Sequence, residues 1–206
     1  GGNVDDVLNF GVNQGTQYDL LVHASRARRS AEYGKVCSTH TGAPGDLDGR
    51  MVYYKQNYLR RENRYEYQFA FAMPMTNGRR GNQYVFYNTF QPSLAAKDAA
   101  NIVANWIQIT NLSSQTASGS LVFRNRDGGI VGQQRVALAA SARHDFSAHR
   151  YGKNQVGIVE WIPDAPDLVQ QMRNVRYLYD NSRGTESFDT AFQLEAAVGT
   201  GELTAA

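Results

Sequence analysis

The chain has 206 residues, of which 42% are hydrophobic and 19% are charged, and its formal net charge at pH 7 is +2. This balance excludes wholesale disorder, and so small a net charge does not indicate a nucleic-acid binder. No apolar run approaches the roughly 18–20 residues of a membrane-spanning helix, so membrane insertion is not expected. Cys37 is the only cysteine, which excludes an intrachain disulfide.

The predicted elements are almost all β-strands, which suits a chain with 12 Tyr, 9 Phe and 19 Gly. In chain order, strands are predicted at residues 50–55, 65–73, 83–90, 105–110, 120–125, 130–138, 155–161, 174–180 and 187–197. Short helical connectors are predicted at residues 93–101 and 165–172. Many short strands at this spacing are typical of β-sandwiches.

Much of the chain can be aligned with itself as two copies of one unit. Residues 7–35 align with residues 120–153, so that Leu8 and Phe10 match Leu121 and Phe123. The strand at residues 105–110 has no counterpart in the first copy. We therefore expect an all-β fold of two tandem antiparallel β-sandwiches, of which the first lacks its N-terminal strand.

The predicted domain boundary lies between residues 92 and 93. Residues 1–92 are expected to form the incomplete first sandwich, with inserted loops at 36–48 and 57–64, and residues 93–206 the second. An unpaired strand edge is expected at Val7, Leu8 and Phe10, because the strand that would pair there is missing. Such an edge could accept a strand from another chain.

One stretch carries a resemblance to known repeats. The pattern TNLSSQTASGSLVFRNRDGGIVG, followed by VALAASARHDF, gives a strand, a polar turn, a strand, an Asp-Gly hairpin and a segment of small residues. It resembles the immunoglobulin-like and fibronectin-like tandem repeats of large secreted and surface bacterial proteins. The resemblance covers most of the chain at fold level, and no motif in it is diagnostic of one family. It implies immunoglobulin-like sandwiches at a secreted or cell-surface location.

A group of aromatic and basic residues is the best candidate for a binding site. Its members are Tyr53, Tyr54, Tyr58, Arg60, Arg61 and Arg64. Tyr and Arg are enriched at protein–protein hot spots, and flat aromatic rings also stack on sugars. We expect this group to bind a partner chain or a glycan, with a purely structural role for the tyrosines as the alternative.

No catalytic constellation stands out in the sequence. His144, Asp145 and Ser147 are neighbours, but alternate residues of an extended segment point to opposite faces, which argues against a local triad. Asp46 and Asp48 are spaced like the start of a calcium loop, yet the twelfth position, where such a loop needs glutamate, falls on Asn57. A plain turn is expected there, with calcium held through distant residues as the alternative. No cofactor is predicted.

These expectations favour a non-enzymatic extracellular structural or assembly module. It would be a fibre or surface-layer subunit, joined head-to-tail to other copies by strand complementation. A carbohydrate-binding or adhesin module is the alternative, and an accessory domain of a secreted enzyme is a second alternative. The expected partners are other copies of the same repeat or a glycan.

Overall fold

A computed structural model describes residues 7–20, 36–90, 101–180 and 187–198. Within these ranges the chain is all-β and contains no α-helix, which confirms the all-β part of the predicted fold class. The strands are β1 (Arg50–Leu59), β2 (Arg64–Pro74), β3 (Gln83–Asn88), β4 (Asn101–Asn111), β5 (Ala117–Asn125), β6 (Ile130–Leu138), β7 (Arg143–Ser147), β8 (Val156–Pro163), β9 (Gln170–Asp180), β10 (Ser187–Glu195) and β11 (Ala197–Val198). A short 3-10 helix, Ala148–Tyr151, follows β7.

The strands form two larger antiparallel sheets and one hairpin. The first sheet has four strands in the order β10-β9-β4-β7, and the second has five in the order β11-β3-β8-β5-β6. β1 and β2 pair with each other. The ring of Phe71 on β2 meets that of Tyr177 on β9 edge-to-face, with 6.1 Å between centroids, so the hairpin lies against the four-stranded sheet.

One hydrophobic core lies between the two larger sheets. Val103, Asn105, Ile107 and Ile109 alternate along β4 and are buried. The facing sheet contributes large, fully buried side chains to the same core: Leu121, Phe123, Val159 and Trp161. Because both sheets bury their inner faces against each other, they form a sandwich-like unit.

The predicted boundary between residues 92 and 93 does not separate two sheets. β3 precedes this boundary, yet it lies inside the five-stranded sheet and pairs with β8 from Gln83 to Asn88. Val85 and Tyr87 of β3 belong to the shared core. The described strands therefore form one sandwich with an attached hairpin, and they do not confirm two tandem sandwiches. Alternation along a strand does not reveal its pairing partner, and this is why the sequence misplaces β3.

Every strand predicted from residue 50 onward is present, but two connecting segments differ from expectation. Residues 165–172 form a turn that runs into β9, where Leu168 N–H donates to Ala165 O at 3.2 Å. The predicted insertion at 57–64 is the closed end of the β1–β2 hairpin, with Asn63 at a φ of 47°. The helix predicted at 93–101 lies outside the described residues except for Asn101, where β4 begins.

Buried asparagines join the sheets beside β3. Asn105 on β4 and Asn174 on β9 hydrogen-bond to each other through their amides. Asn105 Oδ1 also accepts the backbone N–H of Asn88 at 2.9 Å, and Asn174 Nδ2 donates to Phe86 O. Among the described strands, β11 pairs only with the start of β3, so this amide pair supplies hydrogen bonds where none of them continues the pairing.

Gln83 makes the reciprocal connection from β3 to β9. Its Oε1 accepts the N–H of Met172 at 3.0 Å, and its Nε2 donates to Gln170 O at 3.0 Å. The described pairing of β10 with β9 begins at Arg173, so β9 residues before Arg173 have no β10 partner there. Gln83 hydrogen-bonds to this part of β9 instead. Side-chain amides therefore satisfy strand edges on this side of the sandwich.

Candidate functional site

On the opposite side of the sandwich, the described residues border a groove. β6 is the last strand of the five-stranded sheet, and β7 is the last strand of the four-stranded sheet. A short connection, residues 139–142, joins them and holds a turn in which Ala142 N–H donates to Ala139 O at 3.0 Å. Because this connection passes directly from one sheet to the other, β6 and β7 border the same groove, whose volume is about 360 Å³.

The floor of the groove is apolar. Phe123 and Val136 come from the five-stranded sheet, and Phe146 comes from β7 and packs against the core. Phe146 lies opposite Ile107 in the β4–β7 register, which places it on the core side of its strand. The floor is therefore the edge of the hydrophobic core, where Phe146 is partly exposed and Phe123 and Val136 are buried.

One end of the groove is closed by the 3-10 helix. Arg150 and Tyr151 both donate hydrogen bonds to Gln134 Oε1, each at 3.1 Å. The Tyr151 ring lies 4.6 Å from the ring of Phe123 and covers Gly132, where a Cβ would meet the ring at 2.1 Å. Glycine at position 132 is therefore what lets Tyr151 pack over β6.

The neighbours His144, Asp145 and Ser147 do not form a catalytic group. They lie on β7, where alternation places His144 with Phe146, on the face opposite to Asp145 and Ser147. His144 stacks on Phe146 with 4.5 Å between ring centroids. Asp145 instead accepts two hydrogen bonds from Arg143, at 2.7 and 2.6 Å.

Basic side chains surround the groove. Arg135 on β6 donates to Asp164 at 2.9 Å, and this bond holds the pKa of the Asp164 carboxyl below its ordinary value. The Arg150 guanidinium contacts a neutral amide, that of Gln134, and lies 6.0 Å from the Tyr151 ring centroid. The rim of the groove therefore favours anionic or polar groups over cations.

A histidine of the 3-10 helix is buried at its Nε2 atom. Burial lowers the pKa of His149 below the ordinary value of 6.5, and the positive charges of Arg176 and Lys153 lower it further. Nε2 has no hydrogen-bond partner among the described residues. The helix that closes the groove is thus more stable when His149 is neutral.

The predicted tyrosine–arginine group is spread along the β1–β2 hairpin. Tyr54 pairs with Ala70 and Tyr58 pairs with Tyr65 in the hairpin register, and Tyr53 pairs with Phe71. The side chains of these tyrosines on β1 lie outside the described part of the structure.

The arginines of the group lie at the closed end of the hairpin. Arg60 and Arg61 are exposed in its turn, and Arg64 Nε contacts Glu62 Oε2 at 2.5 Å. At about 3.3 Å per strand residue, Tyr54 lies roughly 20 Å along the hairpin from Arg60. The backbone therefore does not gather these residues into one compact site.

The predicted acceptor edge at Val7, Leu8 and Phe10 is not a strand edge, since residues 7–20 lie outside every strand of the described structure. The segment turns at residues 13–16, where Thr16 donates to Asn13 O from its N–H at 3.0 Å and from its Oγ1 at 2.7 Å. Across this turn Phe10 stacks on Tyr18 with ring centroids 4.3 Å apart.

The two aspartates considered for calcium belong to local turns. Asp46 Oδ2 accepts the N–H of Ala43 at 2.6 Å, and Asp48 Oδ1 accepts the N–H of Gly49 at 2.8 Å. Among the described residues, no three His, Cys, Asp or Glu side chains come together as a metal site. Cys37 is exposed. In the same ranges, no helix has the length and apolarity to cross a membrane.

Comparison with known proteins gives one structural similarity. No protein-family model matches the chain, and no curated protein matches it either. The crystal structure of Thermotoga maritima 1070 is similar over 62% of this chain and 100% of that chain, with 15% sequence identity and a TM-score of 0.40. A similarity at this level does not extend to a family or a function.

The groove includes residues that the sequence did not single out. Gln134 comes from β6, whereas Arg150 and Tyr151 come from the 3-10 helix that follows β7, and the pairing of β6 with β5 and of β7 with β4 brings them together. The apolar position of Phe146 between Asp145 and Ser147 was the available signal, since it marks one buried face of a short strand.

Proposed function

We propose that this chain is a non-enzymatic structural or assembly module that associates with other copies of itself by strand complementation. The observation that carries this proposal is a set of exposed apolar side chains in residues 7–20, outside the described sheets. Leu8 is 52% exposed, Phe10 46% and Val12 38%. Exposed apolar surface of this kind marks interaction sites, because its burial is favourable.

The proposal includes a location and a fold type. The resemblance to tandem repeats of secreted and surface bacterial proteins supports an immunoglobulin-like sandwich that acts outside the cell as part of a fibre or surface layer. The positions of His144 and Asp145 on opposite faces of β7 support a non-enzymatic role. Open chains are the expected product, because head-to-tail contacts between identical subunits do not close on themselves unless the rotation permits it.

Sedimentation velocity across micromolar protein concentrations tests this function. We expect the average mass to rise with concentration, and electron microscopy of concentrated protein to show linear chains. A mass that stays monomeric throughout the range, with no chains on the grid, would contradict the proposal.

Carbohydrate binding is the second candidate, and the contacts at the closed end of the groove favour it. Arg150 and Tyr151 converge on Gln134 beside an aromatic floor, and sugars bind where polar groups flank an aromatic ring. A glycan array tests this candidate. Saturable binding that Arg150→Ala abolishes and Arg126→Ala preserves would support it, because Arg126 is exposed in the turn between β5 and β6. Loss with Tyr54→Ala or Tyr58→Ala would instead place the sugar on the hairpin.

A further inference from the structure

We propose that residues 8–12 of one copy add a strand in the groove between β6 and β7 of a second copy. The inference rests on the proposed self-association and deepens it by naming the donor segment and the acceptor surface. It also reverses the role that the sequence gave to residues 7–10, which become the donated strand instead of the acceptor edge.

Both walls of the groove are strand edges. Among the described strands, β6 pairs only with β5, and β7 pairs only with β4. An edge strand presents backbone N–H and C=O groups that an extended peptide can pair with. A segment in the groove would therefore find backbone partners at its sides and an apolar floor below.

The floor suits side chains that alternate along a strand. Phe146 provides partly exposed apolar surface beside the buried Phe123 and Val136, and the groove has a volume of about 360 Å³. Apolar side chains spaced two residues apart would all point toward this floor, while the residues between them face solvent. The acceptor therefore selects a donor with an alternating apolar pattern.

Residues 8–12 have this pattern. Leu8, Phe10 and Val12 alternate with Asn9 and Gly11, so an extended conformation presents one apolar face and one small or polar face. In the internal alignment, Leu8 and Phe10 match two residues of β5 that are fully buried in the core, Leu121 and Phe123. The donor segment thus has the side chains of a core strand, although it lies outside the sheets.

The charges near donor and acceptor are complementary. Asp5 and Asp6 precede the donor segment in the sequence. Arg150 lies at one end of the groove, and Asp145, which also lines the groove, is paired with Arg143. Opposite charges of this kind favour encounter and fix orientation more than they add affinity.

A second copy is the occupant, because in its own copy the segment lies elsewhere. There Phe10 stacks on Tyr18, Leu8, Phe10 and Val12 remain exposed, and none of the described residues fills the groove of the same chain. Association would exchange the Phe10–Tyr18 contact for burial against the floor of a neighbour. Each copy would then donate one strand and accept one, which produces a head-to-tail chain.

Site-directed cross-linking locates the contact. In a Cys37→Ser background, one variant carries Asn9→Cys and a second carries Ser147→Cys, since both side chains alternate with residues that face the floor. The control partner carries Arg80→Cys, which is exposed ahead of β3, away from β6 in the five-stranded sheet. We expect at least about tenfold more mixed disulfide with Ser147→Cys than with Arg80→Cys, because binding raises the effective concentration of the pair.

A charge substitution tests the donor segment independently. Leu8→Asp combined with Phe10→Asp should weaken association at least about 100-fold, since it places two charges at apolar contacts. Asn9→Asp adds a charge to the opposite face of the same segment and should weaken association less than about tenfold. The melting temperature of the monomer should not change in either variant, because residues 7–20 lie outside the sheets.

The outcomes separate this inference from the proposed function. If the chain associates but Ser147→Cys gives no more mixed disulfide than Arg80→Cys, the groove is not the acceptor and only this inference fails. If a chain with Asn9→Cys and Ser147→Cys together forms its disulfide internally in dilute solution, the segment fills its own groove and the second-copy assignment is wrong. A chain that never associates overturns the inference and the proposed function together.

Discussion

Replacing Gln83 by methionine tests whether side-chain amides complete the strand edges between the two sheets. Gln83 is fully buried on β3 and reaches across the core to β9. Its Oε1 accepts the N–H of Met172, and its Nε2 donates to Gln170 O, both at 3.0 Å. Methionine keeps the length and much of the volume of glutamine but removes both hydrogen-bonding groups.

The two hydrogen bonds do not count equally. Gln170 O also accepts the N–H of Arg79 at 2.7 Å, so it keeps a partner in the variant. The N–H of Met172 loses the acceptor that Gln83 provides, and an unsatisfied buried donor costs about 1–3 kcal/mol. We therefore expect Gln83→Met to lower the free energy of unfolding by about 2 kcal/mol. For a chain of this length, that corresponds to a fall of about 4–8 °C in melting temperature.

Urea unfolding followed by tryptophan fluorescence measures this change, with Gln133→Met as the matched control. Gln133 is exposed on β6, so the same substitution there should change the free energy of unfolding by less than about 0.5 kcal/mol. If Gln83→Met is as stable as the control, the amide is not needed at the edge of β9 and the reasoning is refuted.

Three further predictions concern the core and the groove. Asn105→Leu and Asn174→Leu should each lower the free energy of unfolding by about 2 kcal/mol, because each variant leaves the other amide buried without its partner. The double variant should lower it by about 1 kcal/mol less than the sum of the two single variants. Additive free energies from urea unfolding would contradict this. Gly132→Ala should lower the free energy of unfolding by about 1–3 kcal/mol, because the new methyl group displaces the Tyr151 ring. In a Tyr151→Ala background the same substitution should have little effect. An equal loss of stability in both backgrounds would show that the ring is not the cause. Because the folded state lowers the pKa of His149, the unfolded state binds the proton first, so stability should fall as pH drops below about 6.5. Melting curves at several pH values should show a smaller fall for His149→Gln, and an unchanged slope would exclude His149 as the source.

The strands of this fold are predictable from the sequence, but their partners are not. Alternating apolar residues mark β4, where Ile107 and Ile109 face the core as expected. The same signal locates β3 without indicating that it pairs with β8, more than 60 residues away in the chain. Pairing depends on long-range packing. The internal similarity of the sequence suggested a boundary between tandem sandwiches, and the hydrogen bonds between β3 and β8 cross that boundary.

The candidate groove was even less accessible to prediction. β7 has only five residues, and because the residues around Phe146 are polar, no strand is predicted there from the sequence. The residues at its closed end become neighbours only when the short connection at 139–142 carries the chain from one sheet to the other. Conversely, the strand-like pattern of Leu8 and Phe10 was evident in the sequence. This pattern does not indicate that the segment lies outside the described sheets.

The two sides of the sandwich satisfy their strand edges differently, and this difference separates folding from association. Beside β3 and β9, amides of the chain itself supply the missing hydrogen bonds, so Gln83→Met should weaken the fold and leave the affinity between folded copies unchanged. Beside β6 and β7 the groove is open, and an incoming strand could do there what Gln83 does on the other side. The Leu8→Asp and Phe10→Asp pair should therefore abolish association and leave the unfolding energy unchanged. Each substitution should therefore change either the free energy of unfolding or the affinity between copies, but not both. If both quantities fell together in these variants, the assignment of folding contacts to one side and assembly contacts to the other would be contradicted.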